Sequence, residues 1–177
     1  MQFTLTIPGD LPDNMSSSVL AEAAAQGVSA ALQEHFRRKN ATPNAKGFPR
    51  SNYWQDAAES VSVKPNGDKA IVSVDKEGVV LHLKGGTVRP VKGKALAIPC
   101  AAAVYGVWPS HAGRELGFRP AKGAGDKKGF LVDPASGDIL YALYASVTHE
   151  ADPSTVPTEA ELIQAGREYV AELGVIQ

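Results

Sequence analysis

Residues 60–75 read SVSVKPNGDKAIVSVD. Side chains alternate sides along an extended chain, so Val61 and Val63 share one face of a strand. Ala70, Val72 and Val74 share one face of the next. Between the two runs stand Pro65, Asn66, Gly67 and Asp68. Asn-Gly accepts the positive φ angles that a tight reversal needs, so the segment is predicted to be a β-hairpin. Strands joined by so short a turn pair antiparallel, because a parallel pair needs a long crossover.

The same grammar extends in both directions. Residues 129–133 (GFLVD) and 138–147 flank Pro134–Gly137, a second hairpin. In its second strand Ile139, Tyr141, Leu143, Ala145 and Val147 alternate with Leu140, Ala142, Tyr144 and Ser146. Both sets are mostly apolar, which predicts a central strand covered on both faces. Further strands are expected at 2–7, 78–83 and 95–98. Residues 100–128 carry Pro109, Gly113, Pro120, Gly123 and Gly125 without a period, and are expected to be a long irregular loop.

Helical periodicity brackets these strands. Over 14–39, Leu20, Ala24, Val28, Ala31, Leu32, His35 and Phe36 recur at three- and four-residue steps. Asp13 or Asn14 is the expected N-cap and Asn40 the stop. A short helix at 52–60 is expected to start on Asn52 with Gln55 at N3. The last helix, 158–173, has Thr158 and Glu161 as a capping box and Leu162, Ile163, Tyr169, Val170 and Leu173 as its stripe. Strands cluster in the middle without alternating helices. The expected fold class is therefore α+β, with a mostly antiparallel sheet packed with a long N-terminal and a C-terminal helix. A length of 177 residues suits one domain, 1–177.

Composition bounds the function. A hydrophobic fraction of 44% with 21% charged residues is that of a folded globular chain. The single cysteine, Cys100, excludes an internal disulfide framework and a Cys-rich zinc site. The start, MQFTLTIPGD, lacks the basic and apolar regions of a secretory signal, and no apolar run approaches membrane-spanning length. Synthesis in a cytoplasm is expected. Net charge is −1, yet residues 1–34 carry −4, residues 35–128 carry +10 and residues 129–177 carry −7. Segregated charge of this kind either compensates within one fold or suits head-to-tail stacking of subunits or a nearby polyanion.

Motifs for chemistry are sparse. A phosphate loop needs G-x-x-x-x-G-K-[ST], and Gly93-Lys94 is followed by Ala95, which has no hydroxyl for magnesium. His35, His82, His111 and His149 have no ligand spacing between them. Cys100 sits among Pro99 and alanines, which predicts a buried, inert thiol. No catalytic, metal or cofactor residue is assigned. A small hydrolase or ligand-binding domain using Cys100 or His82 is the alternative, and a monomeric nucleic-acid-binding module using the basic middle is a third reading.

Residues 85–99, GGTVRPVKGKALAIP, carry a resemblance. Together with ALQEHFRR (31–38), GFPRSNYWQDAAESVSV (47–63), GFLVDPASGDILYALYASV (129–147) and TVPTEAELIQAGREYV (155–170), they resemble the phage virion morphogenesis family. These are the tail-completion or neck proteins of tailed bacteriophages. The resemblance implies a structural protein, not an enzyme, made in the bacterial host and located at the head–tail junction of the virion. It implies a sixfold or twelvefold homo-oligomeric ring around the DNA channel, with the portal-side neck protein and the tail tube protein as partners, and no cofactor. The isolated chain is then expected to be monomeric or weakly oligomeric. On this reading Lys84, Gly85, Gly86, Thr87, Arg89, Lys92 and Lys94 are candidates for subunit or partner contact. Arg37, Arg38, Lys39, Lys46 and Arg50 are candidates to face the DNA channel, with transient, sequence-independent and salt-sensitive contacts. Arg37–Lys39 also has a simpler explanation, since cations complement the dipole at a helix C-terminus.

Overall fold

In the computed structural model, residues 1–5, 16–43, 47–49, 51–91, 93–123 and 125–173 are described. They sort into two compact units. The first comprises Met1–Thr42, Asn52–Lys84 and Asp152–Gln177, and the second Pro43–Ser51 and Gly85–Ala151. Each unit has a centre of packing of its own. The fold class is α+β, as the element pattern requires, with antiparallel sheets, a long N-terminal helix and a C-terminal helix.

The first unit holds β1 (Gln2–Leu5), α1 (Ser17–Ala41), α2 (Tyr53–Glu59), β2 (Val61–Asn66), β3 (Lys69–Val74), α3 (Val79–Lys84) and α4 (Glu159–Glu172). Its sheet has the order β1-β3-β2, antiparallel throughout. The hairpin forms as expected, but Asn66 pairs with Lys69, so the loop is only Gly67 and Asp68. Gly67 takes φ +65°, which a side chain would resist. Pro65 is tolerated because β2 is an edge strand.

The core of this unit lies between the sheet and α1. Val28, Leu32 and Phe36 of α1 pack with Ala57 and Ala58 of α2 and with Val61, Ala70, Val72 and Val74 of the hairpin. Burying each Val, Leu or Phe side chain stabilises by roughly 1.5–3 kcal/mol, and each alanine by less. Asp13 and Asn14 lie outside the described residues, and Ser16 stands at the N-cap of α1 with no side-chain cap bond. In α4 the capping box is present: Glu161 N–H donates to Thr158 Oγ1 (3.3 Å), and Thr158 N–H donates to Glu161 Oε2 (2.7 Å). Leu162, Gly166 and Val170 make the buried line of α4. Ile163 (37% exposed), expected in that stripe, is on its flank, because one step along a helix from Leu162 turns it by about 100°, and Leu173 (56%) is the C-cap just past the end of α4.

Two local expectations are corrected. The apolar run at 78–83 is not a strand but the helix α3. Gly78 at φ +87° breaks the extended run, and His82 N–H donates to Gly78 O (2.9 Å). Short apolar runs fit either a strand or a helix turn, and here the helix buries Val79 while leaving Val80 exposed. Asn52 does not cap α2 through its side chain. It adopts φ 55° in the left-handed region, and Gln55 turns forward to Glu59 Oε1 (2.8 Å) instead of back.

The second unit holds β4 (Gly86–Val88), β5 (Leu96–Pro99), β6 (Gly117–Pro120), β7 (Lys127–Val132), β8 (Ile139–Tyr144) and β9 (Val147–His149). β4 and β9 form a two-stranded ladder, and the others a sheet of order β5-β8-β7-β6. β8 is central, as its two apolar faces demand. The expected strand 138–147 is cut after Tyr144, where Ala145 N–H donates to Asp126 O (2.7 Å), and its last part becomes β9. Val104, Leu140 and Tyr141 make the core, with Ala97, Ala101, Leu116 and Leu131 against it. The stretch 100–128 is less irregular than expected: it contains short 3-10 turns at Ala102–Val104 and Pro109–His111, and the whole of β6. Four residues ending in proline are too few to show a period. Among the described residues no helix is long and apolar enough to cross a membrane.

Candidate functional site

Of the residues expected at a subunit contact, Gly86 and Thr87 lie in β4, Gly85 directly precedes it, and Lys84 ends α3. Gly85 (φ +68°) and Gly86 (φ +147°) adopt backbone angles that L side chains avoid. A Cβ on Gly85 would stand 2.8 Å from both His149 O and Ala151 N. Gly86 pairs with His149 and Thr87 with Thr148, whose hydroxyl lies 2.9 Å from Thr87 Oγ1. The two glycines therefore serve the ladder. Lys84, Arg89 and Lys94 are exposed. Lys92 lies outside the described residues.

The residues expected to face DNA separate. Arg37 and Arg38 are exposed on the last turns of α1. Lys39 is engaged within its own unit: its Nζ donates to Ser154 O (2.9 Å), approaches Asp152 Oδ2 (3.4 Å) and lies 5.3 Å from the Trp54 ring centroid. His35 Nε2 donates to the same carbonyl at 3.0 Å. Lys39 thus clamps the turn before α4 onto α1 instead of standing free for phosphate. Lys46 and Arg50 lie outside the described residues.

Lys39 also borders an aromatic cluster. Phe36 stacks on Trp54 (5.8 Å, 13°), and Tyr53 and His82 pack against Trp54 at 4.9 and 5.2 Å. Tyr53 donates its hydroxyl to Glu77 O (2.8 Å), and burial pushes that hydroxyl's pKa up to about 12. His82 belongs to this cluster in the first unit, while Cys100 belongs to the second. Cys100 is exposed, against expectation. Just after edge strand β5 its N–H pairs with Leu140 O (2.8 Å), while its exposed thiol donates to Ile98 O at 3.6 Å.

A cationic surface forms where no motif marked one. In β6 and β7, Arg119 lies 5.9 Å and Lys127 5.4 Å from the Phe130 ring centroid, and Lys127 is also 5.5 Å from that of Tyr144. Cations over ring faces gain about 0.5–1 kcal/mol at exposed sites, enough to bias where they stand. Lys122 and Lys128 are exposed nearby in sequence. The second unit carries ten Lys and Arg against five Asp and Glu, a balance of +5; the first carries eight against fourteen, −6. Charge therefore divides by unit, although the acidic and basic segments interleave along the chain. Arg114 is spoken for: its Nη1 donates to Asp133 Oδ2 (3.0 Å), and the Ala135 N–H and Arg114 together hold the Asp133 carboxyl below the usual carboxylate range. In the same unit Trp108 is 76% and Phe118 61% exposed, large apolar surfaces of the kind that anchor contacts.

Sequence reasoning missed Arg119 and Lys127 because both fall in the stretch read as loop. The signal was Lys127-Lys128 entering an apolar strand, a pattern too short to interpret alone. No family model, no curated protein and no solved structure matches the chain.

Proposed function

We propose that the chain is a structural protein of the bacteriophage head–tail junction, a tail-completion or neck subunit. It assembles as a homo-oligomeric ring around the DNA channel and joins the portal-side connector to the tail tube. The carrying observation is the division of charge by unit, −6 against +5. Units of opposite net charge in one chain suit head-to-tail contact between copies, and such contacts close into rings when the rotation allows. The resemblance through residues 85–99 points the same way, as do the exposed Trp108 and Phe118. Any DNA contact on this reading is transient and non-specific, carried by exposed Arg37 and Arg38.

The test is microscopy of particles made with and without this chain. Gold-labelled antibody should decorate the junction, and its loss should leave filled heads without tails. Tailed, infectious particles in its absence, with no junction label in its presence, would overturn the reading.

A further inference from the structure

We infer that the cationic face of the β5-β8-β7-β6 sheet is the seat for the acidic ridge of α4 from a second copy of this chain. The inference rests on the assembly reading and names the two surfaces that meet. Register places Ile98, Ala142, Phe130 and Arg119 in one row across the four strands, and Lys127 beside Tyr144. Residues directly paired in antiparallel strands project to the same face. Phe130, Tyr144 and Ile98 are half-buried, and Arg119 and Lys127 are exposed. Among the described residues neither cation makes an ion pair. Phe130 and Tyr144 already carry cations over their rings, so they hold out charge and do not offer bare faces for stacked bases. That favours carboxylates over a base-stacking nucleic acid.

The complementary surface is on the other unit. Glu161, Glu168 and Glu172 follow at steps of seven and four, which aligns them along one side of α4 over about 16 Å. All three are exposed, and Leu162, Gly166 and Val170 are buried on another side of the helix. The ridge is ordered: Glu161 accepts from the Thr158 N–H, and Glu168 Oε1 accepts from Gln164 Nε2 (2.8 Å). His35 and Arg38 lie near enough to Glu161 to favour its charge, but among the described residues no Lys or Arg forms an ion pair with Glu168 or Glu172. Opposite signs on separate surfaces steer encounter and fix register.

The experiment uses the full-length protein under reducing conditions. Equal amounts of ¹⁴N and ¹⁵N protein are treated at high concentration with a carbodiimide, which joins amines to carboxylates in contact. Mixed-isotope peptides joining Lys127 to Glu168 or Glu172 are expected. Sedimentation should show self-association weakened about tenfold or more in R119E/K127E and likewise in E168K/E172K. A mixture of the two variants should associate again, since each supplies the charge its partner lacks. Absence of mixed-isotope links at these residues, or two inert variants that stay inert on mixing, overturns the inference. So does R119E/K127E retaining self-association while losing retention on DNA, which would make the face a nucleic-acid surface. Restored association on mixing, in a protein that never labels virions, would instead leave this contact standing and remove the head–tail assignment.

Discussion

Gly27 of α1 faces Tyr169 of α4 so closely that a Cβ atom on Gly27 would lie 2.7 Å from the Tyr169 Cβ, and would also collide with the Ala165 carbonyl oxygen. The reciprocal contact is looser: a Cβ on Gly166 would lie 3.1 Å from Ala24 O and 3.5 Å from Ala24 Cβ. Small residues on both helices let the two backbones approach. The nearest opposing atom is a backbone carbonyl oxygen at both sites, so the cost of adding a methyl follows the distance, and it is far shorter at Gly27 than the 3.1 Å at Gly166.

Gly27→Ala should lower stability by about 1–3 kcal/mol, since overpacking against backbone exceeds the gain of about 1 kcal/mol in helix propensity. Gly166→Ala should fall within about 1 kcal/mol of the parent. Urea unfolding followed by helical circular dichroism checks the contrast. Equal effects at both sites would contradict the asymmetry of the crossing.

Asp152 holds the turn before α4. Its carboxylate accepts from Ser154 Oγ (2.6 Å) and the Ser154 N–H (2.9 Å), and Lys39 stands at 3.4 Å. The Ser154 hydroxyl first, then Lys39, hold its pKa below the usual carboxylate range. A depressed folded pKa stabilises above the unfolded value, and that contribution is lost as pH falls through the folded one. Asp152→Asn should cost about 1 kcal/mol or less at neutral pH, because the site is half exposed. The difference should close well below about pH 4. Paired unfolding curves at the two pH values measure it, and a deficit that persists in acid would show that the ionised form is not what matters.

Tyr141 is fully buried and its hydroxyl donates to Val107 O (3.0 Å), one residue before the exposed Trp108. Tyr141→Phe leaves that carbonyl without its donor and should cost about 1–2 kcal/mol. In a Trp54→Phe background Trp108 is the sole indole, and its fluorescence anisotropy should fall as the anchor is released. Unchanged anisotropy with lost stability would confine the effect to the core.

Cys100 should react with a small thiol reagent in the native protein about as fast as in denaturant, since its side chain is exposed. Cys100→Ser should leave stability within about 0.5 kcal/mol. Native protection of more than about tenfold would mean the thiol is covered. Thiol-dependent hydrolysis of an ester by the native chain would bring back the enzyme reading.

Much of the architecture was legible because it is written locally. Gly67-Asp68 after Asn66, with valines on either side, makes one reversal, Pro134–Gly137 another, and Thr158 with Glu161 starts α4, all within a few residues. Resolving the run 78–83 required tertiary context, since Val79 enters the core with Leu83 packed against it, a helical spacing, and Gly78 prevents an extended approach. Thus the chain alone determined an α+β protein with antiparallel strands, a capped terminal helix and charge of both signs. Tertiary structure decided how those charges are grouped. Arg119 and Lys127 are eight positions apart in an unpatterned stretch, and they meet on Phe130 only because β6 and β7 pair antiparallel. Lys39, placed by sequence among the free cations, is taken by Asp152 and Ser154 from 113 and 115 residues away. Contacts of that range depend on strand register and helix docking, which no local run of residues encodes.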